Sequence, residues 1–183
     1  MNNLSYGLND PSDLLKKLKH DAEHIEPEFH PYSIFNFVLT SACLNEWIIK
    51  YYRSIIPNEL STGLDPRNDN NLPNDTEKLI SDSSCLPNRG HRILPQVKDC
   101  ICICSLVANA SKHFHWHKGI ESIGSEPIIN SWYKYYFTRT GPGIYIEYKG
   151  ANYCITQIRD ILVQFYSNLL PYIENKYKEA LKD

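Results

Sequence analysis

LPQVKDCICICSLVANASKHFHWH, residues 94–117, runs from an apolar segment directly into amide, lysine and imidazole side chains. Pro95 suits the first turn of a helix, where a missing N–H costs nothing. Apolar or small side chains then recur every three or four residues, at Val97, Ile101, Cys104 and Val107 or Ala108. This spacing marks one buried face of a helix. Burial does not require the polar groups that follow, so the stretch predicts both a core helix and a candidate site.

Three more helical patterns surround this one. The first begins at Pro11 and ends before Pro27, and the second extends from about Pro31 to Ile55. The last covers Thr156 to Leu181, and Pro171 should kink or split it. The fold class is therefore mainly α, a bundle of four main helices.

A change of pattern before the last helix predicts a β-hairpin over 131–149. Two segments rich in Tyr, Phe and Ile flank Gly141-Pro142-Gly143, which is a turn signal. Residues 57–75 contain three prolines and an Asn/Asp run. We expect that segment to be a flexible inserted loop. With no internal repeat, residues 1–183 are expected to form one domain.

Composition narrows the class of protein. The chain has 183 residues, 42% hydrophobic and 22% charged, with 13 tyrosines, which is typical of a globular domain. The net charge of -2 gives no overall attraction to nucleic acid or to anionic membranes. No apolar run is long enough for a membrane span, and the N-terminus lacks the parts of a signal peptide. We expect a cytoplasmic protein.

The six cysteines then read as reduced thiols rather than as a metal site. Cys100, Cys102 and Cys104 alternate along a predicted helix, so their side chains diverge and would not hold one metal. They are interpreted as small buried hydrophobes. No cofactor is expected.

The candidate site is the polar end of the opening stretch. If the helix continues, Asn109 and His113 lie four residues apart on one face with Lys112 beside them. An amide, an ammonium and an imidazole can position a phosphodiester, and a histidine can move the protons that cleavage by a ribose 2'-hydroxyl requires. Trp116, His117 and Lys118 are candidate substrate-binding residues, since aromatic side chains stack on bases and cations attract phosphate. Five basic residues and one acid between 88 and 118 make this segment locally positive.

Other interpretations of the same residues remain open. Asn109 would cap backbone groups, Lys112 would be solvated, and His113 would interact with the dipole at the end of its helix. His113, His115 and His117 would alternatively bind zinc, although no further ligand motif supports them. Glu46, an acid within an apolar stretch, would pair with Lys112 or a histidine.

Two segments carry a resemblance to known proteins. Residues 35–47, FNFVLTSACLNEW, and 106–114, LVANASKHF, resemble the signature stretches of a family of small bacterial helical proteins with an ANxxKHF motif. The Asn-x-x-x-His element at Asn109 and His113 further resembles the HEPN superfamily. That resemblance implies a helical bundle, often dimeric, related to metal-independent ribonucleases of toxin-antitoxin and antiphage systems.

The sequence departs from the HEPN pattern at one position. HEPN ribonucleases carry an arginine shortly before the histidine, and Ala108 stands there in this chain. Lys112 can supply charge, but it lacks the planar fork with which arginine binds phosphate. The resemblance therefore implies a protein that acts on RNA as a metal-independent endoribonuclease, or that binds it as a catalytically degenerate relative. A homodimer, or a partner protein of a defence system, is also implied.

A different class of function rests on the tyrosine-rich segments. The aromatic hairpin between Trp132 and Tyr148 and the tyrosines of the last helix would form a surface for protein–protein interaction. In that case the chain would be a non-enzymatic interaction module.

Overall fold

The computed structural model describes residues 7–26, 29–68, 70–77, 79, 96–113, 120–124 and 144–177. The helices are α1 (Pro11–Glu23), α2 (Pro31–Tyr51), α3 (Asn58–Leu64), α4 (Asn74–Glu77), α5 (Val97–His113) and α6 (Ile155–Lys176). The strands are β1 (Ile120–Gly124), β2 (Tyr145–Tyr148) and β3 (Ala151–Cys154). The prediction of a mainly helical bundle with a hairpin before the last helix is confirmed. Within these ranges, no helix combines the length and apolar character needed to cross a membrane.

The two N-terminal helices begin where local chemistry favours a helix start. The Asp10 side chain accepts a hydrogen bond from the backbone N–H of Asp13 at 3.0 Å, and Pro11 follows in the first turn. His30 and Pro31 repeat this arrangement at α2, where the imidazole accepts from the N–H of Tyr32. Such caps satisfy backbone donors that have no partner within the helix.

The core lies between the four long helices. α2 packs against α1 and α5, and α6 packs against α1 and α5. The apolar stripe predicted for the last helix is fully buried, at Ile155, Ile158, Leu162, Phe165, Leu169 and Ile173. In α5 the predicted positions Val97, Ile101, Cys104 and Ala108 are also buried.

The helix α6 runs without interruption through Pro171, so of the two expected effects of this proline, a kink or a split, the split does not occur. Pro171 is exposed, while Leu169, Leu170 and Ile173 on either side are buried. Proline removes one backbone hydrogen bond from a helix interior. Burial of these neighbours keeps the C-terminal turns against the bundle despite that loss.

The segment 57–75 is not a loop throughout, which corrects the prediction. It contains α3 and the beginning of α4, and Leu60, Leu64 and Leu72 belong to the core. The buried side chain of Asn45 on α2 donates to the carbonyl of Leu64 at 2.8 Å. Pro66 and the Asn/Asp run that suggested an insertion lie between Leu64 and Leu72, whereas Pro57 and Pro73 flank the buried leucines.

The structure contains a β-hairpin directly before α6. β2 pairs with β3 through a two-residue turn, Lys149-Gly150, in which both residues have positive φ angles of 51° and 72°. Positive φ at both central positions defines the type I' turn, which suits the twist of a hairpin. β1 takes the other edge of β2, giving an antiparallel sheet of order β1-β2-β3. Residues 125–143, including most of the predicted first strand, lie outside the described residues.

Candidate polar pocket beside helix α5

The helix α5 continues to His113, so positions 109 and 113 lie one turn apart on one face, as predicted. Asn109 is half-buried. The side chains of Lys112 and His113 lie outside the described part of the chain. The same holds for the candidate substrate-binding residues Trp116, His117 and Lys118, and for His115, which with His113 and His117 made up the alternative zinc site. The predicted convergence of these side chains therefore stays a prediction.

Glu46 pairs with a lysine of its own helix, and its expected pairing with Lys112 involves a side chain outside the described residues. Its side chain is exposed and accepts a hydrogen bond from Lys50 at 3.2 Å, one turn along α2. This ion pair lies on the solvent side of the helix, where such pairs contribute little to stability.

The cysteines of α5 behave as the sequence indicated. Cys100, Cys102 and Cys104 are all free and buried. Burial raises the pKa of Cys104 to about 12 and also raises that of Cys102, so both remain protonated thiols. Cys43, in contrast, is exposed. Among the residues that the structure describes, no group of three or more His, Cys, Asp or Glu side chains is arranged to hold a metal ion.

A polar pocket of about 490 Å³ lies on the same face of α5, nearer its N-terminus. This volume is within the range of small-molecule sites. Its walls come from the segment after α3, from α5 and from the β2–β3 turn. The lining residues are Pro66, Asn68, Asn71, Gln96, Lys98, Asp99, Cys102, Leu106, Tyr148 and Lys149.

Lys98 fixes the wall formed by the segment after α3. Its buried ammonium donates to the carbonyl of Gly63 at 2.8 Å and to the carbonyl of Asp65 at 2.7 Å. One turn further along α5, the thiol of Cys102 contacts the carbonyl of Pro66 at 3.7 Å. These bonds hold 63–66 against α5, because a buried ammonium needs polar partners.

Asp99 fixes the wall formed by the hairpin. The Tyr153 hydroxyl donates to Asp99 Oδ2 at 3.0 Å. Burial and this hydrogen bond both raise the pKa of Tyr153. The rings of Tyr153 and Tyr148 meet edge to face with centroids 6.0 Å apart. The hairpin is thereby docked on α5, and the carboxylate of Asp99 is held at the pocket.

Lys149 places a cation at the pocket from the turn of the hairpin. Its Nζ lies 5.0 Å from the ring centroid of Tyr148, a cation–π distance. A hydrogen bond with Tyr148 raises the pKa of Lys149, so its ammonium is charged at neutral pH. The pocket therefore combines two ammonium groups, one carboxylate and three amide side chains.

The pocket and the predicted site share one stripe of α5. Positions 98, 102, 106, 109 and 113 follow one another at intervals of three or four residues, so they lie along one side of the helix. Leu106, at the pocket wall, is three residues from Asn109, about 4.5 Å along the axis. Sequence reasoning identified the C-terminal half of this stripe and missed the N-terminal half. The sequence feature that could have indicated the N-terminal half is the pair of charged residues Lys98 and Asp99 directly before the apolar run CICIC.

A second groove, of about 820 Å³, lies between α1 and α6. Its two cations, Lys19 and Arg159, face three carboxylates, those of Glu23, Glu26 and Asp160. Arg159 bonds Glu26 at 2.7 Å and Asp160 at 2.8 Å. Two carboxylates thus already compensate this guanidinium. The groove has little remaining positive charge with which to attract a phosphate.

Comparison of the chain with protein-family models, with curated proteins and with solved structures finds no match.

Proposed function

We propose that this protein binds RNA along the stripe of α5 and acts on it as a metal-independent endoribonuclease, or as a non-cleaving relative, in a bacterial defence or toxin-antitoxin setting. The observation that carries the proposal is the unbroken helix to His113. It sets positions 109 and 113 one turn apart on the face that also lines a polar pocket. The resemblance to HEPN proteins supports the same assignment. A homodimer or a defence partner belongs to this proposal.

The chemistry assigns a role to each residue. The ribose 2'-oxygen attacks the adjacent phosphorus, the bond from phosphorus to the 5'-oxygen breaks, and a 2',3'-cyclic phosphate forms. His113 takes the proton from the 2'-hydroxyl or supplies one to the leaving 5'-oxygen. Lys112 stabilises the charge that develops on the phosphate, and Asn109 orients the scissile group. Trp116, His117 and Lys118 would hold the neighbouring nucleotides.

The interaction module has weaker support among the described residues. Tyr145 and Tyr148 of the hairpin are buried, at 5% and 4% exposure. Tyr166 of α6 is completely buried, and Tyr172 is bonded to Asp75. These tyrosines stabilise the fold and leave little aromatic surface for a partner. Residues 132–143 of the proposed surface lie outside the described residues.

The test is cleavage of tRNA and total RNA by purified protein in the presence of a chelator. We expect cleavage to persist without metal and to leave cyclic phosphate ends. His113→Ala should slow it by about 100- to 10,000-fold, the usual contribution of a general acid or base. His24→Ala, which removes an exposed histidine just after the C-terminal end of α1, is the matched control and should have no effect.

A second measurement separates cleavage from binding. If the wild type leaves RNA intact but binds it, and Asn109→Ala or Lys112→Ala weakens that binding, the protein is the non-cleaving relative. RNA that is neither cut nor bound by the wild type contradicts the proposal.

A further inference from the structure

The polar pocket beside α5 has a chemistry more specific than phosphate attraction. Asp99 Oδ2 is held by the Tyr153 hydroxyl at 3.0 Å, so the carboxylate is oriented before any ligand arrives. Within the part of the chain that the structure describes, no side chain donates to the other oxygen, Oδ1. Lys149 and the amides of Asn68, Asn71 and Gln96 supply donors around the same cavity.

We propose that this pocket binds a guanine base, an inference that rests on the proposed action on RNA and deepens it. Guanine presents two N–H donors side by side, N1–H and the 2-amino group, which one carboxylate accepts together. Its O6 and N7 are acceptors, for which lysine is a usual partner, and the N–H groups of side-chain amides can donate to them as well. Asp99 therefore faces the donor edge of the base, and Lys149 with the amides faces the acceptor edge.

The other bases fit this set of groups less well. Adenine has an unprotonated N1 where guanine has N1–H, so its lone pair would face the lone pairs of Asp99. Cytosine and uracil offer the carboxylate one donor position each on their pairing edges. When another base enters this pocket, the carboxylate or the lysine is left without a hydrogen-bond partner. Leaving a polar group of the site unpaired is a strong source of discrimination among ligands.

The place of the pocket fits a base next to the site of cleavage. Leu106 lies at the pocket wall, and position 109 follows on the same stripe, about 4.5 Å along the axis. A strand whose guanine occupies the pocket would carry its adjacent phosphate along α5 toward Asn109. The protein would then select the nucleotide beside which it acts.

The test compares binding of guanosine, inosine, adenosine and xanthosine monophosphates by calorimetry. Inosine lacks only the 2-amino group, so we expect it to bind about 10- to 100-fold more weakly than guanosine, the loss of one hydrogen bond to a charged group. Adenosine should bind still more weakly. Equal affinity for all four nucleotides would overturn the proposal, and this comparison needs no variant.

Asp99→Asn should weaken binding of the guanine nucleotide and at the same time strengthen binding of the xanthine nucleotide. The amide accepts N1–H but donates to position 2, so it suits the 2-oxo group of xanthine and opposes the 2-amino group of guanine. We expect the preference to change from guanosine to xanthosine monophosphate by at least about tenfold in each direction. The amide oxygen still accepts from Tyr153, which preserves the hairpin contact. Asp160→Asn, a carboxylate outside this pocket, should keep the guanine preference, and an unchanged preference in Asp99→Asn contradicts the assignment.

Two further measurements decide whether the guanine in the pocket belongs to RNA or to a free nucleotide. A single-stranded RNA with one guanine should bind more tightly than the same strand with inosine if the base belongs to RNA. Binding of the mononucleotide alone would assign the pocket to free guanine nucleotide. The wild type separates the two proposals: guanine selectivity without any action on RNA supports the pocket assignment and contradicts the proposed function, and cleavage without base selectivity does the reverse. His113→Ala should lose cleavage and keep the guanine selectivity of the pocket.

Discussion

At Gly63 the backbone of α3 touches the segment that follows it. A Cβ at this position would lie 3.0 Å from the carbonyl oxygen of Asn71 and 3.1 Å from the Cα of Leu72. Both atoms belong to the backbone, and Leu72 is buried, so neither can move aside easily. The carbonyl of Gly63 also accepts the buried ammonium of Lys98. One small residue therefore allows three segments to meet at the wall of the pocket.

Gly63→Ala tests that close approach. Alanine would gain about 1 kcal/mol of helix propensity, whereas forcing an extra carbon into a packed site costs about 1 to 3 kcal/mol. We expect a net decrease in the free energy of unfolding, measured by urea denaturation. Ser61→Ala, in the same short helix, should change it by less than about 0.5 kcal/mol. A stabilised Gly63→Ala variant would show that the backbone of residues 71–72 can move to accommodate the added carbon.

At the scale of elements, the sequence predicted most accurately the buried faces of the long helices, because these depend only on the spacing of apolar residues. The stripe of α6 and the packed face of α5 follow the 3.6-residue repeat, and both are buried as expected. The segment 57–75 was misinterpreted because its buried leucines are separated by turn residues, which hide any period. The Lys149-Gly150 turn was not anticipated because Lys-Gly is a weaker turn signal in sequence than Gly141-Pro142-Gly143, although both of its residues have positive φ angles.

The short helix α4 is tied to α6 by one carboxylate. Lys176 and the hydroxyl of Tyr172 both donate to Asp75 Oδ2, and together they lower the pKa of Asp75 to about 2. A carboxyl group with a lowered pKa in the folded state stabilises that state above its unfolded pKa. This stabilisation is lost as the pH falls from about 4 toward 2.

We expect a carboxyl titration of Asp75 by NMR to give a pKa near 2 in the wild type. Lys176→Met removes the larger cause and should move the pKa toward its usual value of 3.8. Lys16→Met, which breaks the separate pair with Asp13, should leave Asp75 unchanged. A wild-type pKa close to 3.8 would mean that α4 is not held by this contact in solution.

At the scale of the whole molecule, the candidate pocket could not be read from the sequence because its walls are far apart along the chain. Asn68, Asp99 and Lys149 become neighbours only after α3, α5 and the hairpin have packed. No spacing rule connects them. The stripe at positions 109 and 113 was recognisable because both residues belong to one helix, whose local period sets their relation.

The association of α1 with the rest of the bundle combines an apolar face with one buried polar contact. Leu14, Leu15 and Leu18 are buried. The Thr40 hydroxyl of α2 donates to Asp21 Oδ2 at 2.6 Å, and Lys17 donates to Asp21 at 2.6 Å and to Thr40 at 2.8 Å. Asp21 thus joins α1 to α2 at a site that is only 8% exposed.

Asp21→Ala should lower the free energy of unfolding of the whole domain by about 1 to 3 kcal/mol, because it leaves the buried hydroxyl of Thr40 without its acceptor. Lys17 is partly exposed, so water can replace its lost partner and the loss should stay below that of a fully buried ion pair. Glu23→Ala, an exposed carboxylate two residues along the same helix, should change stability by less than about 0.5 kcal/mol. If α1 packs as one unit with α2, α5 and α6, circular dichroism and tyrosine fluorescence should report the same lowered midpoint. Two separate transitions in Asp21→Ala would show instead that α1 unfolds independently of the remaining helices.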